Sequence, residues 1–523
     1  NHEDPEIRPE LDDLQRIPTV SLSLDFDEFF GSKGIYIRGE NVEKPISFEF
    51  FDPNKPDNGI QANSTVQIVG GSSPNRWKSD KLSMRVRFTE DQGPSDLNYP
   101  VFGADAISQF DTLVVDARLN NVWHYGGGSD PDGQRGRGQY MRDEFAADLQ
   151  NAVGGYATHG QHVHVYINGI YWGMHTLHER PDDNFMASYH GGVSEDYNVI
   201  KHGANEVIAG SNESYRAMFD VVGRRGDDLT DEKWEQIQTM LDMDGFIRYM
   251  LVNFYGGNGD WDHHNWYASE NKDEGLWRFH SWDAEKVLER VRDNSTSNNN
   301  PLAPSGMHRR LSTHPEYKLM FADRVQELFY HGGPMSPEGA AAIYNARADQ
   351  IDPVMRVESA RWGDNQVDRG RRIRYTRPHW VDVRDSLNDT YFPQRTDTVL
   401  SQFERLKLVT VGEAPEFSIN DSAQHGGFVE AGSQLTMSAP DGDIYYTTDG
   451  SDPRLPGDVL AETAIQYTGV VNVDQSTNVR ARLRKADGTW SAISSARFFT
   501  SVPATTDNLR ISELHYHPAD PSQ

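Results

Sequence analysis

Two short stretches concentrate the reactive residues of this chain. Gly257-Asn-Gly-Asp-Trp-Asp-His-His-Asn-Trp-Tyr267 and Trp277-Arg-Phe-His-Ser-Trp-Asp-Ala-Glu285 each read as a small aromatic strand with acids at its end. Asp262 and Asn265 are three apart on one loop, while Asp283 and Glu285 are two apart and project to one side of an extended chain. Carboxylate and amide oxygens from two adjacent loops suit Mg²⁺ or Mn²⁺, hard cations that take oxygen ligands together with water and phosphate. Asp-x-x-Asn followed by an Asp beyond a hairpin parallels the phosphoryl-transfer arrangement, in which one Asp orients a hydroxyl while an Asn and a second Asp hold metal. An isolated acid at a strand end is only a solvated turn; the aromatic-flanked pair of clusters sets these apart. A competing assignment takes His263, His264 and His280 with Asp283 as ligands of a transition metal. Adjacent residues of an extended chain point to opposite sides, which argues against 263 and 264 sharing an ion. His162 and His164 share a face, but of an ordinary strand, where packing accounts for them.

The elements upstream must position these groups. Strands are predicted at 19–24, 35–37, 46–51, 66–69, 82–88 and 110–115 from apolar residues at a period of two. Gly70-Gly71-Ser72-Ser73 precedes Lys81 and could cradle phosphate through backbone N–H groups, although such a turn also occurs simply as a turn. Residues 126–138 hold six glycines and read as a long loop. In Tyr140–Val153, Met141, Phe145, Leu149 and Val153 fall four apart, the spacing of one helix face. Asn168-Gly169 between two alternating runs marks a hairpin, and Leu177–Pro181 follows as a connector. Lysine strand, helix acid, two strands and hinge is the order of a protein-kinase N-terminal lobe, where the lysine holds phosphates and pairs with the helix acid. Lys78 competes with Lys81 for the lysine role, and Asp143 and Glu144 both stand as its helix partner.

Lys+Arg 50 against Asp+Glu 79 gives a net charge of −29 in 523 residues, which disfavours nucleic acid and anionic membrane surfaces as partners. The absence of Cys excludes disulfides, a thiolate nucleophile and Cys-ligated metals. No stretch approaches the roughly 18 apolar residues of a membrane span. The chain starts at Asn1, as expected of a fragment or of a protein that has lost a targeting segment. Residues 213–256 and 315–408 read as largely helical. Beyond 411 the composition turns to Thr, Ser, Val and Tyr, with strands and turns alternating every ~10–15 residues, as in a small β-sandwich.

These segments together resemble the spore coat protein H (CotH) kinase family. The likeness is carried by Gly34-Ile-Tyr36, Ser47-Phe-Glu-Phe50, Ile68-Val-Gly-Gly-Ser-Ser73 through Lys81-Leu-Ser-Met-Arg-Val-Arg-Phe88, Tyr99-Pro-Val-Phe102 and Arg142-Asp-Glu144. It continues in Tyr166-Ile-Asn-Gly-Ile-Tyr-Trp-Gly173, Glu179-Arg-Pro-Asp182, Asp260-Trp-Asp-His-His-Asn265 and Ser281-Trp-Asp-Ala-Glu285. Ile444-Tyr-Tyr-Thr-Thr-Asp-Gly-Ser-Asp-Pro453 is similar to a chitobiase C-terminal module, and Leu509–Pro518 to the start of a lamin-tail domain.

The resemblance implies an α+β protein: an atypical, two-lobed kinase-like domain followed by an immunoglobulin-like β-sandwich. Its divisions are an N-terminal extension at 1–18, the kinase-like domain at 19–410, the sandwich at 411–503 and an incomplete third domain at 504–523. It further implies Ser/Thr phosphorylation of a protein substrate with ATP and Mg²⁺ or Mn²⁺, by a secreted or surface-associated bacterial enzyme. Asp262 would be the catalytic-loop acid, Asn265, Asp283 and Glu285 the metal ligands, and Lys81 the phosphate-binding lysine. Gly70, Gly71, Ser72, Ser73 and Glu144 would complete the nucleotide site. The alternative is an extracellular structural or adhesion protein on a kinase-like scaffold without turnover. A glycan-active enzyme, suggested only by the C-terminal module, leaves Lys81 and Asn265 without a role.

Overall fold

The computed structural model describes residues 4–501 except 39–41, 56–58, 72–73, 75–77, 127–130, 225, 368–369 and 371. Ser72, Ser73 and the expected third domain at 504–523 lie outside the described residues. The chain divides into two compact units, 1–409 and 410–523.

Seven strands of the first unit close a barrel: β1 (Thr19–Ser23), β2 (Glu43–Phe51), β3 (Ile60–Val69), β4 (Ser83–Arg87), β5 (Thr112–Asp116), β6 (Gly160–Ile167) and β7 (Ile170–His178). Their order is β1-β2-β3-β4-β5-β7-β6, and β1 pairs in parallel with β6 to complete the ring. Alternation drives this closure. Phe48 and Phe50 of β2, Val66 and Ile68 of β3 and Met84 and Val86 of β4 face one interior, each 0–1% exposed, while their neighbours face outward. The β6–β7 hairpin turns at Asn168 (φ 50°) and Gly169 (φ 76°), the left-handed pair that a two-residue turn requires. Residues 35–37, expected as a strand, instead begin the helix Ile35–Arg38; three residues do not define a period.

The other half of this unit is helical around a second sheet. Helices α1 (Arg142–Ala152), α2 (Asp183–His190), α3 (Met243–Gly256), α4 (Pro304–Leu311) and α5 (Val354–Trp362) matter for the site. The sheet has the order β9-β8-β10-β11, with β8 Tyr197–Lys201, β9 Val207–Ala209, β10 Trp266–Asn271 and β11 Leu276–Ser281. Asp242 caps α3 by accepting from Gly245 N at 3.0 Å. The helix then buries Phe246, Ile247, Met250, Leu251 and Phe254, at about 1.5–3 kcal/mol per side chain. It ends at Gly257 (φ 61°), where a Cβ would meet Asp293 Cβ at 2.9 Å and Arg395 Nη2 at 3.0 Å. The loop carrying the first acidic cluster therefore leaves a rigid helix at a defined angle.

The second unit packs a four-stranded sheet and a five-stranded sheet around Phe417, Leu435, Tyr446, Leu483 and Phe498. Among the described residues no helix is long and apolar enough to cross a membrane.

Candidate active site

A cavity of about 580 Å³ lies between the barrel and the second sheet. Val69, Gly70, Gly71, Arg85, Val114 and Asp116 line it from the barrel side, and Lys201, Asp260, Asn265, Tyr267, Trp282 and Asp283 from the other. The two acidic clusters meet here because Trp266 pairs with Ser281 in the β10–β11 ladder. Asn265 and Asp283 therefore leave the same end of the hairpin. Both adopt left-handed backbone, φ 65° and 55°, a conformation that Asn and Asp tolerate better than other side chains.

Burial raises the carboxyl of Asp283 well above its ordinary range, and the charges of Glu285, Asp143 and Asp116 add to the effect. Burial also moves Glu285 up, to about 7. Burial opposes the charged form of Asp116 too, yet the Arg118 guanidinium and His178 hold its carboxyl well below the usual range. Crowded acids that line one cavity suit a divalent cation. Asp283 and Asn265 are among the oxygen donors that line the cavity. Glu285 lines the cavity too, and its carboxylate accepts from Leu119 N at 2.9 Å and from Asn120 N and Nδ2 at 2.8 Å each, so it pins the 119–120 turn. Both carboxylate oxygens of this expected metal ligand thus already accept hydrogen bonds.

The expected catalytic Asp262 is placed elsewhere. It is fully buried and accepts from Asn300 Nδ2 at 2.6 Å, from Ser305 Oγ at 2.9 Å and from Ser305 N at the start of α4. It lies outside the cavity lining and holds the 295–305 segment against the loop. The acid of this loop that lines the cavity is Asp260, whose side chain is 36% exposed. Asp260 stands five residues before Asn265, the Asp-x-x-x-x-Asn spacing of a kinase catalytic loop. That spacing was the available sequence signal for Asp260.

Lys81 does not reach the cavity. Its ammonium is fully buried, donates to Glu358 Oε1 at 2.8 Å and to the Met174 carbonyl, and leaves the helix acids to another cation. That cation is Arg118, just past β5. It bonds Asp116 at 2.8 Å, Asp143 at 2.7 Å and Glu144. The order strand, cation, helix acid and hairpin thus exists, one strand later than expected, because β5 lies between Lys81 and α1. Asp143 and Glu144, left as alternatives by the sequence, both pair with Arg118, so Glu144 is a support beneath the cavity rather than a group lining it.

The positive groups that line the cavity are Arg85, Arg180 and Lys201. Lys201 Nζ lies 5.6 Å from the Tyr267 ring centre and 5.7 Å from that of Trp282, and burial lowers its pKa. Of the glycine loop, Gly70 (φ 114°) and Gly71 line the cavity, and a Cβ on Gly71 would meet nothing within 4 Å. His280 bonds Ser269 Oγ at 2.8 Å and the Tyr156 carbonyl at 2.7 Å, which fixes it as a core residue. His162 and His164 donate to the carbonyls of Tyr140 and Asp13, again structural roles.

A family model described as CotH kinase protein matches residues 68–396, more than half of the chain. The chain belongs to the CotH kinase family. The matched span carries every residue placed around the cavity above. A second model, described as Fn3 associated, matches 434–498, within the C-terminal pair of sheets of this CotH-family chain. Among solved structures, that of a Helicobacter pylori proinflammatory kinase, CtkA, is similar at 9% identity and a TM-score of 0.23, over 68% of this chain and 95% of that one. No curated protein matches the chain.

Proposed function

We propose that this CotH-family protein is a two-lobed, metal-dependent phosphotransferase that moves the γ-phosphoryl group of ATP to a Ser or Thr hydroxyl of a protein. One observation carries this reading: Asp260, Asn265 and Asp283 line a single cavity together with Arg85, Arg180 and Lys201. Val69, Val114, Tyr267 and Trp282 give that cavity apolar and aromatic walls suited to a nucleobase. The three cations offset phosphate charge, and the backbone at Gly70 and Gly71 has room to approach the phosphates closely. Asn265 and Asp283 would hold Mg²⁺ or Mn²⁺, which when bound neutralises charge on the transferring phosphoryl group. Asp260 orients the acceptor hydroxyl. As the hydroxyl oxygen forms its bond to phosphorus and the bond to the ADP oxygen breaks, the released proton passes to the Asp260 carboxylate.

An extracellular or surface substrate is part of the proposal, supported by the likeness of the appended β-sandwich to modules of exported enzymes. A scaffold without turnover is the second reading, and the burial of Lys81 away from the cavity favours it. Calorimetric titration of ATP with Mg²⁺ or Mn²⁺ into the wild type and Asp283→Ala separates the two. Binding lost in the variant supports the phosphotransferase; absence of binding to either folded protein supports the scaffold.

A further inference from the structure

The loop between α3 and β10 brings together three side chains of which phosphoryl transfer uses only one. Asp260 Oδ1 lies 3.2 Å from His264 Nε2 and 3.6 Å from His263 Nε2. One ligand atom from each of the three lies within 4.8 Å of the other two. The histidine rings stand 3.9 Å apart at 85° to one another. Adjacent side chains diverge only when the backbone is extended, and residues 262–265 form a bend. The divergence that argued against 263 and 264 sharing an ion therefore does not apply to this bend.

The distances suit a small tetrahedral shell. With metal–ligand bonds of about 2.0–2.1 Å, neighbouring ligand atoms sit about 3.3–3.4 Å apart, and 3.2 and 3.6 Å bracket that value. The third separation, between the two histidines, is within 4.8 Å. Two imidazole nitrogens with one carboxylate oxygen favour zinc and its neighbours, whereas Mg²⁺ and Ca²⁺ take oxygen. The loop is held from outside the set, because Asn265 N donates to His202 Nδ1 at 2.9 Å. Access is open: the side chains of Asp260, His263 and His264 are 36%, 56% and 39% exposed. Asp260 and His264 line the nucleotide cavity, and His263 lines a neighbouring one.

We propose that Asp260, His263 and His264 form a binding site for a zinc-class divalent ion at the edge of the nucleotide cavity, and that filling it switches phosphoryl transfer off. The ion takes the Asp260 oxygen that would otherwise receive the acceptor's proton. The site itself stands on the three ligands alone; its effect on transfer rests on the phosphotransferase reading.

The test uses the full chain in magnesium-free buffer, titrated with Zn²⁺ against a chromogenic chelator and with Co²⁺ followed by visible absorption. In the His263→Ala/His264→Ala variant with unchanged circular dichroism, Zn²⁺ affinity should fall by more than about 100-fold, beyond the cost of losing an outer-sphere partner. The Co²⁺ ligand-field bands should disappear with it. Equal Zn²⁺ affinity and an unchanged Co²⁺ spectrum in that variant overturn the site. For the switch, the measured quantity is the ratio of Mg²⁺-dependent transfer with and without one equivalent of Zn²⁺, taken in each protein. A large loss in the wild type and a ratio near one in the variant support it, and a zinc-insensitive wild type overturns it. Zinc binding lost in the variant, in a protein that transfers no phosphate under any condition, upholds the site and rejects the kinase reading.

Discussion

Lys81 Nζ and Glu358 Oε1 lie 2.8 Å apart with both side chains fully shielded from solvent, although 277 residues separate them in sequence. Glu358 belongs to α5, and its second oxygen accepts from Met174 N of β7 at 2.8 Å. This pair joins a helix to the barrel. Burial lowers the Lys81 pKa, and the Glu358 charge opposes that shift.

Lys81→Ala should therefore act on stability, since it leaves a buried carboxylate uncompensated, a loss of about 3–5 kcal/mol. A Lys81→Met/Glu358→Leu double variant should recover most of that loss. Chemical denaturation of the three proteins checks this. A Lys81→Ala protein of wild-type stability with weakened ATP binding would return Lys81 to the nucleotide site.

Asp260 and Asp262 should separate cleanly by substitution. Asp260→Asn removes a partly exposed oxygen at the cavity and should lower transfer at least ~100-fold, the scale of a lost general base, with an unchanged melting temperature. Asp262→Ala strips acceptors from Ser305 and Asn300 and should destabilise by roughly 2–4 kcal/mol. Melting curves and initial rates on the same two preparations decide it; the opposite pattern would restore Asp262 as the reacting acid.

The Arg118 guanidinium bonds Asp116, Asp143 and Glu144. Arg118→Lys keeps the charge but loses the planar fork, so Mg²⁺-dependent ATP affinity should drop by about tenfold with a melting shift of a few degrees. Arg118→Met should cost about 3–5 kcal/mol. Titration calorimetry and thermal melts would show both, and an Arg118→Met protein as stable as wild type would remove Arg118 from its supporting role.

Burial holds His162, His280 and His308 neutral, with pKa values depressed to about 3. In the unfolded chain they titrate near 6.5. Between those values the unfolded state binds more protons, so stability is present above pH 6.5 and is lost as pH falls toward 3. Each histidine contributes a slope of up to about 1.4 kcal/mol per pH unit. Urea titrations from pH 7.5 to 4.5 should show a steep decline, shallower by one proton in His280→Gln. A flat profile would contradict the buried, neutral assignment.

Strands of the barrel were readable where apolar residues alternate, at 46–51 in β2 and over the last four residues, 66–69, of β3, and the β6–β7 hairpin was readable from Asn168-Gly169. The hairpin that unites the acidic clusters was also readable, because Asn265 and Asp283 flank two short aromatic strands. Ile35–Ile37 was not, since so short a run fits strand and helix equally. Asp260 could have been found from its spacing to Asn265, but the same loop offered Asp262 with an equally suggestive motif.

By itself the sequence determined the reactive stretches, the succession of elements around them and the family. Local periodicity, turn chemistry and motif spacing carry that information within a few residues. Only the tertiary structure decided which acids line the cavity, which cation meets the helix acids and which carboxylates are engaged by hydrogen-bond donors. The reason is physical: the state of a charge depends on what is packed against it. Those partners come from far along the chain, Ser305 from 43 residues beyond Asp262 and Glu285 from 166 residues beyond Leu119. A charge that finds such partners becomes structural, and one that does not is left available for chemistry.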